Sequence, residues 1–382
     1  KENDMRKRKV ILAVLGVVMA CSLLGGCQSS SSEKNNGSGT AVSSEAETGS
    51  DADTGLSSKK EYSRDIFAMD TYMTLTAYGK NAQKAVDAGV EEIQRLDALL
   101  STGNENSEIA QINKNHGGEM SEETAYMVER ALDIYRSTGG AFDISIYPVM
   151  QLWGFTTGNF AVPSDTDLAA KLALVNAGKI SVEKNADGKS IISMPEGMEI
   201  DLGGIAKGYT SGRVMEIFQE YGVKSAVINL GGNAQVLGSK TDGPAWKVGI
   251  QDPEDENGYL GGLSVTDEAV ITSGGYERNF TDEATGITYH HIIDPKTGYS
   301  ANNGLISVTI VSSDSTLADG LSTSLFVLGT DKAIAYAKEH CQEDNFGVLM
   351  ETEDHKIYIT DNLKDQFIDI NGNTELNVIE TK

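Results

Sequence analysis

Apolar residues recur at the 3.6-residue spacing of a helix along several stretches of the chain. Val86, Val90, Ile93, Leu96 and Leu100 mark residues 82–100, and Met127, Ala131, Ile134 and Tyr135 mark 122–138, which Gly139-Gly140 would stop. Val214, Ile217, Phe218 and Tyr221 mark a helix after Gly208 that Gly222 would end. Shorter helical signals cover 107–112, 165–175 and 332–339, and Leu317, Leu321, Leu325 and Leu328 form the stripe of a further helix. Residues 66–79 are rich in Thr, Tyr and alternating apolar positions, and read as strand. Segments 180–182 and 190–193 form a hairpin around Asp187-Gly188. Strands are also predicted at 198–201, 226–230, 246–250, 262–265, 269–273, in the run before Leu317, and at 346–350 and 357–360. The elements interleave without a regular βαβ alternation, and many strand pairs have hairpin-length connections. That predicts a mixed α+β architecture of largely antiparallel sheets with packed helices, in one unit from residue 62 to 382, with no internal repeat.

The first 61 residues follow a different pattern. Residues 5–27 have a basic start (Arg6, Lys7, Arg8, Lys9), an apolar run from Val10 to Leu24 and small residues before Cys27, which reads as an export signal. Leu24-Gly25-Gly26-Cys27 resembles the lipobox of bacterial lipoproteins, so Cys27 is the expected lipidation site. The apolar run is short of the roughly twenty residues that span a bilayer. Residues 28–61 are Ser, Gly and acidic, a composition that cannot bury enough apolar surface to offset its ordering entropy, and they read as a disordered tether. The expected address is extracytoplasmic, anchored by lipid to the outer face of the bacterial cell membrane. Only Cys341 remains in the body of the chain, which leaves no internal disulfide there.

The 382 residues carry a formal charge of −25. Such acidity argues against nucleic acid as a partner, and any anionic ligand needs local positive charge. Two glycine-rich turns offer sites. Asp201-Leu-Gly-Gly-Ile-Ala-Lys-Gly208 places a carboxylate and Lys207 beside a helix start whose free N–H groups favour an anion, or it is simply a tight turn. Asn229-Leu-Gly-Gly-Asn233 reads better as a strand exit. Asp319 and Thr323 stand one helical turn apart, away from Leu321; they are either a solvated helix face or two oxygen ligands for a hard cation such as Mg²⁺. His290 and His291 precede an Asp294-Pro295 turn, with no spacing that suits zinc. No P-loop, GxGxxG or GxSxG motif occurs, and Asp361, Asp365, Asp369 and Asn371 read as solvated turns rather than a calcium loop.

Six motifs, taken in order, resemble the ApbE family: Met69-Asp-Thr, Gly140-Ala-Phe-Asp143, Asp201 to Gly208, Asn229 to Asn233, His291-Ile-Ile-Asp-Pro-Lys-Thr-Gly298 and Ala318-Asp-Gly-Leu-Ser-Thr323. Members are FAD:protein FMN transferases, usually exported and often lipoproteins, with a fold related to the T-fold. The resemblance implies a Mg²⁺-dependent reaction that splits FAD at its pyrophosphate. FMN passes to a Thr or Ser hydroxyl of an exported acceptor flavoprotein of an electron-transfer chain, and AMP leaves. It also implies that Asp319, Thr323 and the Gly204 carbonyl bind the metal. Met69, Ala141, Phe142, Asp143, Asp201, Lys207 and Ile293 would contact FAD, and His291 would assist proton transfer with Asp319 in the catalytic set. Other readings of the same motifs are a Mg²⁺-dependent FAD pyrophosphatase yielding FMN and AMP, and a flavin-binding lipoprotein without turnover. The chain departs from the family pattern where Gly103 follows Ser101-Thr102, since an aromatic is common there against the flavin. Tyr78 or Trp153 would then be expected to stack on it.

Overall fold

A computed structural model describes residues 60–255 and 257–382. The export signal, Cys27 and nearly all of the tether lie outside the described residues. Among the described residues no helix is long and apolar enough to cross a membrane.

The framework is a nine-stranded sheet. It joins β1 (Glu61–Ala68), β2 (Thr71–Tyr78), β6 (Ala226–Leu230), β7 (Asn233–Leu237), β10 (Ala269–Gly274), β13 (Leu305–Ser312), β14 (Phe346–Thr352), β15 (Ile357–Thr360) and β17 (Leu376–Ile379) in that spatial order. Every neighbouring pair is antiparallel except β15 and β17. Three small sheets accompany it: β3 (Gly117–Glu119) with β4 (Ser181–Lys184) and β5 (Ser190–Ser193); β8 (Trp246–Gln251) with β9 (Tyr259–Val265) and β16 (Phe367–Ile368); and the ribbon β11 (Asn279–Thr281) with β12 (Thr288–His290). The expectation of largely antiparallel sheets with packed helices holds.

Helices cover one face of the large sheet. The stripe of α1 (Ala82–Leu100) and the buried side of α6 (Ala206–Glu220) close over β1, β2 and β6, with Val86, Val90, Ile93, Val214 and Phe218 packed against Leu75, Ile228 and Leu230. The central helix, α7 (Ser315–Leu328), lies over β10 and β13, flanked by α6, by α3 (Glu122–Ser137) and by α8 (Thr330–His340). On the opposite face Trp246, Ile250, Leu263 and Val265 of the β8–β9 sheet pack on Val236, Val270, Val311, Leu349 and Ile359. Strands β13 and β14 are therefore covered on both sides, which explains their unbroken apolar runs. The remaining helices, α2 (Glu108–Asn115), α4 (Tyr147–Trp153), α5 (Asp165–Leu172) and α9 (Asp361–Lys364), are short.

Three expectations need correction. Residues 66–79 are not one strand: β1 and β2 pair from Glu61↔Tyr78 to Ala68↔Thr71 around a two-residue turn at Met69 and Asp70. Both turn residues have positive φ (48° and 58°), a conformation that the sequence gives no sign of because neither is glycine. Residues 198–201 are not a strand. Ile200 instead exchanges two hydrogen bonds with the Asn113 side chain, a contact made by a residue far away in sequence. And α7 has no solvated face, since its residues are buried all round except for half-buried Thr323 and Leu328.

Candidate active site

The ends of β2, β6 and β10, the start of α6 and the middle of α7 surround a cavity of about 440 Å³. Met69, Ala141, Phe142, Asp143, Asp201, Gly204, Lys207, His291, Ile293, Asp319 and Thr323 all line it. They come from five separated stretches of chain, brought together by the stacking of α6 and α7 on the sheet.

Asp319 organises this centre. Helix α6 begins at Ala206 without any side-chain cap of its own. The Asp319 carboxylate, reaching across from α7, takes that place: its Oδ2 accepts the Gly208 N–H at 2.7 Å, and the Lys207 N–H is a further donor to it. Its Oδ1 accepts from Asn233 Nδ2 at 3.0 Å. The helix N-terminus thus holds a carboxylate of its own chain, as the helix dipole favours. Close approach is possible because Gly208 has no side chain; a Cβ there would stand 2.2 Å from the Ser315 carbonyl and 2.6 Å from Asp319 Cβ. Ser315 Oγ completes the junction by donating to the Gly208 carbonyl at 2.6 Å. The Asn229 to Asn233 motif serves both as a strand exit and as part of the site: Gly231 and Gly232 turn at φ 63° and 92°, and Asn233 delivers the amide to Asp319.

Burial pushes the Asp319 carboxyl above the usual range, against Lys207 and the three N–H donors that lower it. Burial also raises Asp201, opposed by the Gly203 N–H and by Arg278, and raises Glu277, opposed by Lys207 and Arg278. Both line the cavity, Asp201 half-buried and Glu277 exposed to solvent. Six carboxylates line this space (Asp70, Asp97, Asp143, Asp201, Glu277 and Asp319) against two cations, Lys207 and Arg278. Only Asp143 and Asp319 of the six are buried, and the surplus of carboxylates over cations around the cavity gives it a negative field that favours a cation.

The donor set fits a hard divalent ion. Asp319 offers carboxylate oxygens with lone pairs left after their hydrogen bonds. Thr323, one turn further along α7, offers a hydroxyl whose polar neighbour is Ser273 Oγ at 3.4 Å. Gly204 lines the same cavity, where a Cβ would press on Phe142 Cε2 at 2.9 Å, so only a bare backbone fits beside that ring. A carboxylate, a hydroxyl and a carbonyl are oxygen ligands of the kind Mg²⁺ takes. No cluster of three or more His, Cys, Asp and Glu occurs among the described residues, so a metal held by protein side chains of those types alone is not what this centre offers.

The two histidines have separate roles. His290 is half-buried, its Nε2 against the Ala301 carbonyl at 2.9 Å and its ring edge-on to Phe326, a structural position. His291 lines the cavity, and its Nδ1 faces the Arg278 carbonyl at 3.3 Å. A carbonyl only accepts, so Nδ1 carries the proton and Nε2 keeps its lone pair. Burial, together with the nearby Arg278 and Lys207 charges, lowers this imidazole to about 3, so it is neutral at physiological pH.

Asp143 lines the cavity, but its carboxylate is engaged in holding the local fold: Oδ1 accepts from the Ser145 N–H at 2.9 Å and from Ser145 Oγ, and Oδ2 accepts from the Ala177 N–H at 3.1 Å. Tyr78 and Trp153 do not line the cavity. Tyr78 packs on Trp246 across the other face of the sheet, and Trp153 is fully buried, donating to the Gly298 carbonyl at 2.7 Å within an aromatic cluster. The aromatic carbon rings that do reach the cavity are Phe142 and Phe155, and the latter lies 6.5 Å from His291. Phe155, Glu277 and Arg278 carry no motif that sequence reasoning picks out; the proximity of Glu277-Arg278 to the end of β10 was the available signal.

Comparison with known proteins gives the family. Residues 69–347 match the ApbE family. An FAD:protein FMN transferase of Klebsiella pneumoniae (strain 342) is 31% identical over 309 residues, spanning 80% of this chain and 93% of its own. That of Treponema pallidum (strain Nichols) is 33% identical over 300 residues, spanning 73% and 82%. Among solved structures, the ApbE protein of Thermotoga maritima superposes with a TM-score of 0.73 at 30% identity, over 80% of this chain and 99% of its own. The flavin transferase ApbE of Vibrio cholerae gives 0.69 at 27% identity, again over 80% and 99%. On the extent of this match, the chain belongs to the ApbE family.

Proposed function

We propose that this protein is a Mg²⁺-dependent FAD:protein FMN transferase that modifies a Thr or Ser hydroxyl of an exported acceptor flavoprotein in an electron-transfer chain, releasing AMP. One observation carries the reading: all eleven residues that the resemblance assigns to FAD, the metal or proton transfer line a single cavity. Asp319, Thr323 and the Gly204 carbonyl would hold Mg²⁺, which when bound neutralises charge on the pyrophosphate oxygens.

The chain's own residues do the rest. Lys207 and Arg278 are the cations available to the phosphates of FAD. Phe142 and Phe155 supply apolar wall for a planar ring. In the transfer, the acceptor oxygen forms a bond to the FMN phosphorus while the bridging P–O bond breaks, and its electron pair leaves on AMP. The unprotonated Nε2 of His291 would take the hydroxyl proton. Cys27 would carry the lipid that anchors the protein outside the cytoplasm.

The test is to incubate the full chain with FAD, Mg²⁺ and a candidate acceptor carrying an exposed Thr or Ser. A fluorescent acceptor band that survives SDS, with matching AMP, supports transfer. AMP and free FMN without labelling would instead indicate the hydrolytic reading.

A further inference from the structure

Arg278 stands in the turn between β10 and β11 and lines the cavity, yet among the described residues its guanidinium makes one hydrogen bond, to the Asp70 carbonyl at 3.1 Å, and no ion pair. Arg278 is solvent-exposed at the cavity, its charge acts on Asp201 and Glu277 without an ion pair to either, and most of the five N–H donors of its guanidinium have no protein partner among the described residues. Its backbone is engaged on the other side. The Arg278 carbonyl accepts from the His291 N–H at 3.0 Å and faces His291 Nδ1 at 3.3 Å. Asp70, which holds the guanidinium, is one of the two residues in the positive-φ turn joining β1 and β2. Such a conformation in a residue other than glycine costs energy and persists only where its surroundings impose it. Arg278 therefore links three parts of the cavity wall: the strained turn, the proton-accepting histidine and the open space between them.

We infer that Arg278 is a positioning residue for the transfer: its side chain binds the pyrophosphate of FAD while its backbone carbonyl fixes the tautomer and orientation of His291. This rests on the transferase reading for the identity of the dinucleotide. The planar fork suits two phosphate oxygens at once, and the remaining donors are free to make those bonds. Lys207 is the other cation on the wall, so in this acidic space Arg278 is half of the fixed positive charge that meets the phosphates. The same residue thus ties the seat of the leaving nucleotide to the group that takes the proton.

The experiment compares the full-length wild type with Arg278→Gln and Arg278→Lys by calorimetric titration with FAD, ADP and riboflavin, without acceptor. Charge-assisted hydrogen bonds to phosphate predict that Arg278→Gln weakens FAD and ADP by about 10- to 100-fold, while riboflavin, which has no phosphate, changes by less than about twofold. Arg278→Lys should recover part of the loss, since it keeps the charge without the fork. Because the glutamine variant keeps the backbone carbonyl, KM for FAD should rise more than kcat falls. Riboflavin binding doubles as the control for folding; if Arg278→Gln does not fold, the lysine variant must still weaken FAD selectively over riboflavin. Unchanged FAD affinity, or equal weakening of FAD and riboflavin, would overturn the assignment. A wild type that binds FAD but labels no acceptor would defeat the transferase reading instead, and the phosphate-selective comparison would still decide the role of Arg278.

Discussion

Replacing Asp319 by alanine removes at once the cap of α6 and the proposed metal carboxylate, and the two losses can be separated. Three donors lose their acceptor: the Lys207 and Gly208 N–H groups and Asn233 Nδ2. Each orphaned buried donor costs about 1–3 kcal/mol, but a buried charge that the fold resists is removed with them, so the net loss should be about 2–4 kcal/mol. With an unfolding entropy of about 0.6 kcal/mol/K for roughly 300 ordered residues, Tm should fall by about 3–7 °C in scanning calorimetry without metal. The metal part is read by adding Mg²⁺. At about a hundred times its Kd, the ion should stabilise the wild type by about 2.7 kcal/mol, close to 4 °C, and the alanine variant by almost nothing. The pH dependence has a definite sign. Burial holds the Asp319 carboxyl above its ordinary 3.8, so the folded, metal-free protein binds this proton more readily than the unfolded chain. This group's contribution to metal-free stability therefore declines as pH rises from 3.8 through its folded value, and Mg²⁺ should restore stability most above that window. An equal Mg²⁺ increment in wild type and Asp319→Ala would show that Asp319 does not hold the ion.

Further outcomes follow from other parts of the site. With His291 lowered to about 3, kcat/KM should show no inflection near 6.5; a pH–rate profile with an ionisation at 6–7 that disappears in His291→Ala would contradict that placement. The same shift means that the unfolded chain takes up the proton first, so stability should decline as pH falls from 6.5 toward 3, measurable by urea denaturation across that range. Gly208→Ala forces a Cβ to 2.2 Å from the Ser315 carbonyl and must separate α6 from α7, so a loss above about 3 kcal/mol and little soluble protein are expected. Gly103→Tyr should fold normally, because a Cβ there meets only Ser101 Oγ at 3.8 Å, and should tighten FAD by about 2- to 10-fold in fluorescence quenching through a new aromatic wall.

Helix α1 is legible to the residue because its apolar stripe faces a sheet on one side and water on the other, the situation in which periodicity carries the most information. Helix α7 is the opposite case. Buried nearly all round, it offers no polar face to contrast with its leucines, so Asp319 reads from spacing alone as a wet residue and only the family motifs reveal it as a site. The turn at Met69 and Asp70 escapes sequence reasoning because left-handed backbone without glycine leaves no compositional mark. Residues 198–201 have the composition of a strand, but Asn113 takes the hydrogen bonds that a neighbouring strand would have made. Phe155 and Arg278 enter the cavity through tertiary packing, and no local pattern marks them. Trp153 looks a better candidate for the flavin than Phe155 by size, yet its indole N–H is spent on Gly298 inside the aromatic cluster.

Transfer of FMN to protein and its release into solution leave different products. The most direct measurement is intact mass spectrometry of an exported acceptor flavoprotein after incubation with the full chain, FAD and Mg²⁺, with AMP quantified in the same reaction. Transfer gives one FMN added through phosphate to a Thr or Ser, one AMP per modified acceptor, and loss of both products in Asp319→Ala. Stoichiometric AMP with an unmodified acceptor and free FMN in solution would contradict it.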